Sequence, residues 1–436
     1  KIGEIVNYTK DGIKRKYIVV SAKGKKDPNN SNEIKDTRSL ENLVAENSSK
    51  KRKNIIELLL NGWEELAKKD SKELPKLENE LNDRLNKKGK MSTSAFNASI
   101  VAFGEEVSAR LLAERHGIEY VNSKELFLLE ANKGNYRNGI YLKKESEIMM
   151  KNRLSGTSNT IITEGFCGQD KEGNIITFPI GGSDISQAYL GAGLNVDVCE
   201  NFTDSGIAVA NPRIIRNPKI IDEITFRELR ELTVGGFDIL HEDVVLPLEE
   251  KLIPIHVRGT GAFPEIGTLV VSNRYTEEPI CGIAYRDNFC KIEIDFPGLN
   301  SISGIGHKIP KVFHDHEVEY SMDSSSVDSM SYLVEGKYLK GRLGIPDLIT
   351  REIRDKFNGK GNVNFKSNYG ALVVVGNGMI GRQGTHSEVT RILADVGVNI
   401  DFSSQSKEMV ISFGINSSRG KQGVRALYDH FFPMSK

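Results

Sequence analysis

The sequence predicts an α/β domain built on a largely parallel sheet, followed by two small α+β units. Three observations carry that prediction. Apolar strand-like runs alternate with helical periodicity up to about residue 275. Beyond that point the texture changes to shorter βαββ patterns. Within them a weak internal repeat appears: VEYSMDSSSVDSMSYLV begins at Val318 and VNIDFSSQSKEMVISFG at Val398, eighty residues apart, each behind a glycine-led helix. Two copies of one α+β unit account for this better than a single continuous domain.

In chain order, the strand patterns are KYIVVSA (16–22), IEYVN (118–122), NTIITEGF (159–166), NVDVCENFT (195–203), IPIHVR (253–258) and GTLVVS (267–272). Each is short and rich in β-branched or aromatic residues, which suits a half-buried pleated surface. Helical spacing of apolar residues falls at 54–69, 73–88, 97–116, 184–194 and 225–235. The segment 23–37, KGKKDPNNSNEIKDT, is polar and reads as a loop. Glu105 and Glu106 fall on the helix FNASIVAFGEEVSARLLAERHG, where Glu106 is expected on the wet face. A length of 436 residues suggests roughly three domains.

Lys plus Arg and Asp plus Glu balance at 59 each, so overall charge points to neither nucleic acid nor a membrane surface. The basic run Lys50-Lys51-Arg52-Lys53 reads as a solvated helix end. Cys167, Cys199, Cys281 and Cys290 lack metal-type spacing and read as reduced, mostly buried thiols of a cytoplasmic protein, with no metal site of their own. No apolar stretch reaches the ~18 residues a membrane span needs. No signal peptide is visible, and the start at Lys1 rather than methionine suggests residues missing upstream.

The run Gly181-Gly182-Ser183-Asp184, followed by ISQAYLGAGL, closes a turn and opens a helix. Two glycines let backbone approach a ligand closely, and Ser183 or Asp184 is placed to cap the helix. Ile185, Ala188, Tyr189 and Ala192 share one face at helical spacing. A helix N-terminus favours anions, which makes phosphate a natural guest. An ordinary strand-to-helix turn has the same pattern.

Taken together, VVSAKGK (19–25), FGEEVSARLLA (103–113), TEGFCGQDKEGNIITF (163–178), GGSDISQAYLGAGL (181–194), ENFTDSGIAVANPRII (200–215), ITFRELRELTVGGFDILHE (224–242) and IPIHVRGT (253–260) resemble the aspartate kinases of the amino-acid kinase superfamily. The C-terminal repeat is similar to paired ACT domains. The resemblance implies the amino-acid kinase fold, a mostly parallel sheet sandwiched by helices, over 1–275, then βαββαβ ACT units over 276–365 and 366–436. It implies transfer of the ATP γ-phosphate to the β-carboxylate of L-aspartate, with Mg²⁺ on the nucleotide. It also implies feedback by lysine, threonine or both, and a homodimer or dimer of dimers through the ACT pair.

By the same resemblance, Asp184 is the catalytic organiser of the phosphate region and Glu105 receives the aspartate amino group. Ser21, Gly182 and Ser183 then lie at the substrate, and Gly181, Thr203, Asp204 and Arg213 at the nucleotide. Asp323, Asp328, Ser329 and Met330 are the effector candidates, though their segment suits a plain hairpin turn equally well. Read without the resemblance, Ser21 is a strand-end turn residue and Arg213 a surface arginine. The assigned chemistry suits the residue types: an attacking carboxylate is already ionised near neutral pH, so catalysis is mostly positioning and charge neutralisation.

Four departures accompany the match. The family's opening Lys-Phe-Gly-Gly segment has no counterpart after Lys1, which is not the family's catalytic lysine. Ile180 stands where an arginine that grips the substrate carboxylate is usual, a loss of about 2–5 kcal/mol. Leu40 replaces a threonine, and Asp238 stands ahead of Leu240-His241 where lysine or threonine is usual. These leave open a second reading, a catalytically impaired amino-acid-binding regulatory protein on the same fold. A third, a related kinase with another acceptor, fits the ACT pair poorly.

Overall fold

The computed structural model describes residues 5, 14–24, 36–46, 48–179, 181–237, 240, 242–261, 263–340, 342, 344–406 and 408–433. Lys1, Ile180, Asp238 and His241 lie outside the described residues. The chain divides into two compact units, Lys1–Asn201 with Leu240–His256, and Phe202–Ile239 with Val257–Lys436.

The first unit is organised by a parallel sheet in which β1 (Tyr17–Val20) and β2 (Glu119–Tyr120) flank β5 (Ile161–Glu164). Register pairs Tyr17 with Ile161 and Val20 with Glu164, so the two carboxyl ends finish level. The helix Phe103–His116 packs Ala109 and Ala113 against Val20 and Ile162, small residues that let helix and sheet approach closely. Four more helices, Asp36–Ala45, Ser49–Leu66, Glu73–Leu85 and Thr93–Val101, bury Leu40, Leu59, Trp63, Leu77 and Phe96 in one cluster with Phe103. Each of the larger of these side chains contributes on the order of 1.5–3 kcal/mol by burial.

The single helix expected over 97–116 is two helices that meet at Ala102, the first capped by Ser92, whose hydroxyl accepts from Ala95 N–H. Asp36–Ala45 starts inside the segment expected to be loop. Glu106 is not on a wet face: it is buried and ion-paired with Arg84 and, at 3.3 Å, with Arg110. Two arginines from the neighbouring helix and its own helix compensate the desolvation that made a solvated position the default expectation. The hairpins β3 (Leu129–Asn132) with β4 (Asn135–Tyr141), and β6 (Cys167–Gln169) with β7 (Ile175–Thr177), complete the unit. Tyr141 stacks on Tyr189 with ring centroids 3.8 Å apart, fixing the helix Gly182–Leu194.

β8 (Cys199–Thr203) and β10 (Ile255–Gly259) cross the division between the units. In the second unit β9 (Glu223–Thr225) runs parallel to β11 (Thr268–Val271). The helix Phe226–Val234 opens with a capping box between Thr225 and Glu228. Glu228 is fully buried and also takes both nitrogens of an Arg274 fork, at 2.9 and 2.8 Å, and Asn377 N–H at 2.7 Å.

The remaining strands form a six-stranded sheet ordered β13 (Tyr320–Ser325), β14 (Ser329–Glu335), β12 (Gly282–Asp295), β15 (Asn362–Val375), β17 (Val410–Asn416), β16 (Ile400–Ser406). Strands β12 and β15 are each 14 residues long and serve two modules. Residues 289–295 of β12 pair with β14, whereas 282–286 pair with 371–375 of β15 and, at Ile283, with Ala210 through a single parallel bridge. One βαββαβ module therefore sits between two pieces of the other, and the sequence boundary at 365/366 falls inside a shared strand. Tyr285 seals the junction, donating to Ser417 C=O at 3.1 Å with its ring against Gly420, where a Cβ would stand 2.0 Å from Cζ.

Candidate active site

Parallel α/β sheets present ligand sites at the carboxyl ends of their strands, and the first unit gathers its polar residues there. β1 ends at Val20 and β5 at Glu164, and Gly165 N–H donates back to Val20 C=O at 2.9 Å. A Cβ on Gly165 would stand 2.8 Å from Ser183 Cα, so the strand end lies directly against the start of the helix Gly182–Leu194. A Cβ on Gly104 would meet Leu40, Ala22 and Asp36 at 3.1 to 3.4 Å. The bare backbone at Gly104 thus admits the β1 loop and the start of Asp36–Ala45 beside Glu105.

Glu105 is 5% exposed and accepts from the Ala22 backbone N–H and the Ser183 hydroxyl. Its Oε2 has no partner. Burial, with Glu164 and Asp36 adding like charge, pushes its carboxyl up to about 8. Asp36 accepts from Trp63 Nε1 at 2.9 Å; burial raises it to about 6 against that bond and the Lys23 charge. The structure thus brings Glu105, Ser183 and the loop after Ser21 to one place. Ser21 itself is exposed, one residue before the N–H that Glu105 uses.

The helix behind the two glycines is capped differently from the expectation. Its N-cap is Gly181, at φ 84°, with no side-chain cap. A left-handed glycine turns the chain two residues early, so Ser183 and Asp184 sit in the first turn and their side chains are released for other partners. Gly182 is buried against Phe166 and Phe178. Asp184 is raised by burial, opposed by a long 3.5 Å contact from Asn201 Nδ2. Ile185, Ala188 and Ala192 bury the face that the spacing predicts, and Tyr189 carries the aromatic stack on the same helix.

The nucleotide candidates Thr203, Asp204 and Arg213 belong to the second unit. Thr203 ends β8 and its C=O receives Thr260 N–H at 2.8 Å and the Thr260 hydroxyl at 3.0 Å; Asp204 and Arg213 are exposed. Among the effector candidates, Asp323 is exposed on β13. Asp328 accepts Gly298 N–H at 2.6 Å and Ser329 C=O accepts Ser326 N–H at 2.8 Å, a tight turn. Met330 faces the module core, 7% exposed among Ile292, Ile294 and Tyr332. It stands apart from the exposed aspartates.

Two residues of this site were missed from the sequence. Glu164 ends an apolar strand and is 1% exposed, and Asp36 heads a helix hidden behind a polar segment. A lone acid closing an otherwise apolar run was the available signal for Glu164.

Residues 2–259 match the model of the Amino acid kinase family and residues 372–431 that of the ACT domain. The Bacillus subtilis protein named Aspartokinase 3 is 32% identical over 347 residues, 77% of this chain and 74% of its own length. The crystal structure of Clostridium acetobutylicum aspartate kinase covers 99% of this chain and 94% of its own, with a TM-score of 0.80 and 28% identity. E. coli aspartokinase III, solved with aspartate and ADP, covers 99% of this chain and 95% of its own at a TM-score of 0.72 and 20% identity, a likeness of fold. The chain therefore belongs to the amino-acid kinase family, among its aspartokinases with C-terminal ACT domains.

Proposed function

We propose that this chain phosphorylates L-aspartate. The β-carboxylate attacks the γ-phosphorus of ATP, the bond to the β,γ-bridging oxygen breaks, and 4-phospho-L-aspartate and ADP leave. The carrying observation is Glu105, a buried carboxylate with an unpaired oxygen beside the β1 loop and the Ser183 helix start. Such a group accepts an α-ammonium, and a charge-assisted bond in a dry setting is stronger than a neutral one. Ser183 and Gly182, at the amino end of a helix, suit the substrate carboxylate and the transferring phosphoryl group.

Mg²⁺ carried on the nucleotide would neutralise phosphate charge. Asp184 is half-buried with only a long contact from Asn201, so its carboxylate has the capacity to face that ion. Thr203, Asp204 and Arg213 are assigned to the nucleotide, with Arg213 the cation for its phosphates. The catalytic segment is taken as 1–275. On this reading the reaction opens lysine, threonine and methionine synthesis in the cytoplasm. The modules 276–365 and 366–436 then bind lysine or threonine around Asp323, Asp328, Ser329 and Met330, and assemble the chain as a homodimer or dimer of dimers. E. coli aspartokinase III has been solved with lysine and aspartate.

The test is ADP release coupled to NADH oxidation, with L-aspartate varied, on the full-length protein. Turnover that saturates with aspartate and falls when lysine or threonine is added is the expected result. Turnover indifferent to aspartate would refute the proposal.

A further inference from the structure

Glu164 occupies an unusual place for a carboxylate. It is the last residue of β5, 1% exposed, and its Oε1 accepts Ser123 N–H at 2.9 Å while Oε2 has no partner. The Tyr120 hydroxyl, on the adjacent strand β2, is near enough to interact with the Glu164 carboxylate, a neutral donor that brings no positive charge. Glu105 leaves its own Oε2 unpaired, so one region of the unit holds two interacting buried carboxylates with no described cation paired to either.

Nothing described on the surrounding elements neutralises them. From the helix Phe103–His116 comes Glu106, ion-paired with Arg84 and Arg110 and still raising Glu164 by its negative charge. From Asp36–Ala45 comes Asp36, bonded to Trp63 and within the field of Lys23. β2 supplies Tyr120, and β6 supplies the Cys167 thiol, which burial and Glu164 push well up and which contacts Ser123 Oγ at 3.3 Å. The described cations among these are already engaged, Arg84 and Arg110 with Glu106 and Lys23 with Glu65 at 3.2 Å. Two bare carboxylates in such a setting are strongly disfavoured, and one proton on the pair relieves the conflict. A ligand that brought its own positive charge would relieve it instead.

We infer that Glu164 is a positioning residue for the substrate amine: it keeps a proton on the Glu105–Glu164 pair while the site is empty, and that proton passes to solvent when an ammonium group binds. This rests on Glu105 as the receiver of the aspartate amine. The empty site is thereby close to neutral, and only a cationic guest offsets the cost of its ionisation. An amine-free diacid such as succinate gains nothing from the pair. Burial and the Glu106 charge hold Glu164 at about 7, with Glu105 at about 8, so the exchange falls in the neutral range. The two titrate as a coupled pair. Because the ionised pair is the binding form, KM for aspartate falls as pH rises towards 8 and levels above it, with a slope of at most about tenfold per unit for one displaced proton.

The test is calorimetric titration of the full chain with L-aspartate at pH 7 in two buffers of different ionisation heat, together with KM from pH 6 to 9. Wild type should release between about 0.5 and 1 proton per aspartate bound, and its KM should drop at least about fivefold from pH 6 to 8. E164Q should release clearly less and shift the KM profile to lower pH, because the like charge beside Glu105 is gone. E164D should restore the wild-type pattern, which a purely structural role would not predict. Aspartate binding without proton release in wild type, a measurement independent of how any variant folds, overturns the inference and leaves the kinase reading standing. So does release unchanged in a folded E164Q. A wild-type chain that binds no aspartate refutes both.

Discussion

Glu105 carries an energetic conflict that can be measured without substrate. Its carboxyl is pushed up to about 8 by burial, against an ordinary value near 4.3 in the unfolded chain. Between those values the folded state holds a proton that the unfolded state has lost. Stability therefore falls as pH rises from about 5 to 8 and is flat with respect to this group above 8. E105Q removes the liability. We expect it to be more stable than wild type at pH 8 by roughly 2–4 kcal/mol and nearly equal at pH 5, read from thermal melting at both pH values. The same variant should raise KM for aspartate by at least about tenfold, since the ammonium loses its charged partner. A residue that weakens the empty fold while serving the ligand is the expected mark of a binding site.

The elements around the site meet at two glycines, and both are testable. A methyl group at Gly165 would press on the Ser183 backbone at 2.8 Å, so strand end and helix start must separate. G165A should cost about 1–3 kcal/mol in stability and more than about tenfold in kcat/KM. G104A meets mainly side-chain atoms at 3.1 to 3.4 Å, and should cost less in melting temperature while still disturbing Glu105. The six strands marked out by β-branched residues are present because that composition needs a half-buried pleat wherever it falls. The N-cap was legible as a glycine turn but not as Gly181, since dihedral angles and not residue type decide which glycine turns. Asp36 and the helix it begins were masked by KGKKDPNNSNEIK upstream, whose polarity is that of a loop. The hairpin over Leu129–Tyr141, LEANKGNYRNGIY, alternates too weakly to declare itself. Glu164 escaped notice because its partners arrive from Ser123 and Glu105, far away in sequence.

At the scale of the whole molecule, Glu228 ties the helix Phe226–Val234 to Arg274 and to the loop at Asn377. Burial works against its ionisation, yet the Arg274 fork and the backbone donors keep it below the usual carboxylate range. That stabilisation is present above the ordinary carboxylate pKa and is lost as pH falls through the lowered value. R274M strands a buried charge and should cost about 3–5 kcal/mol at pH 7. The deficit should narrow as pH falls and the stranded Glu228 carboxyl of the variant takes up a proton; melting curves across the acidic range would show a parallel loss if the ion pair is not the cause.

The nesting of the regulatory modules also has a consequence in time. Synthesis runs from the amino end, so the strand 282–286 emerges before the whole of the inserted module, and the partner it needs at 371–375 comes long after. Its tyrosine waits longer still, because Gly420 and Ser417 lie near the end of the chain. At about 5–20 residues per second, the partner strand follows after roughly 4–18 s and the final helix after roughly 7–27 s, and until then the outer strand has only the single bridge from Ile283 to Ala210. The inserted module can close during that wait, but the outer one cannot close until the final helix has left the ribosome.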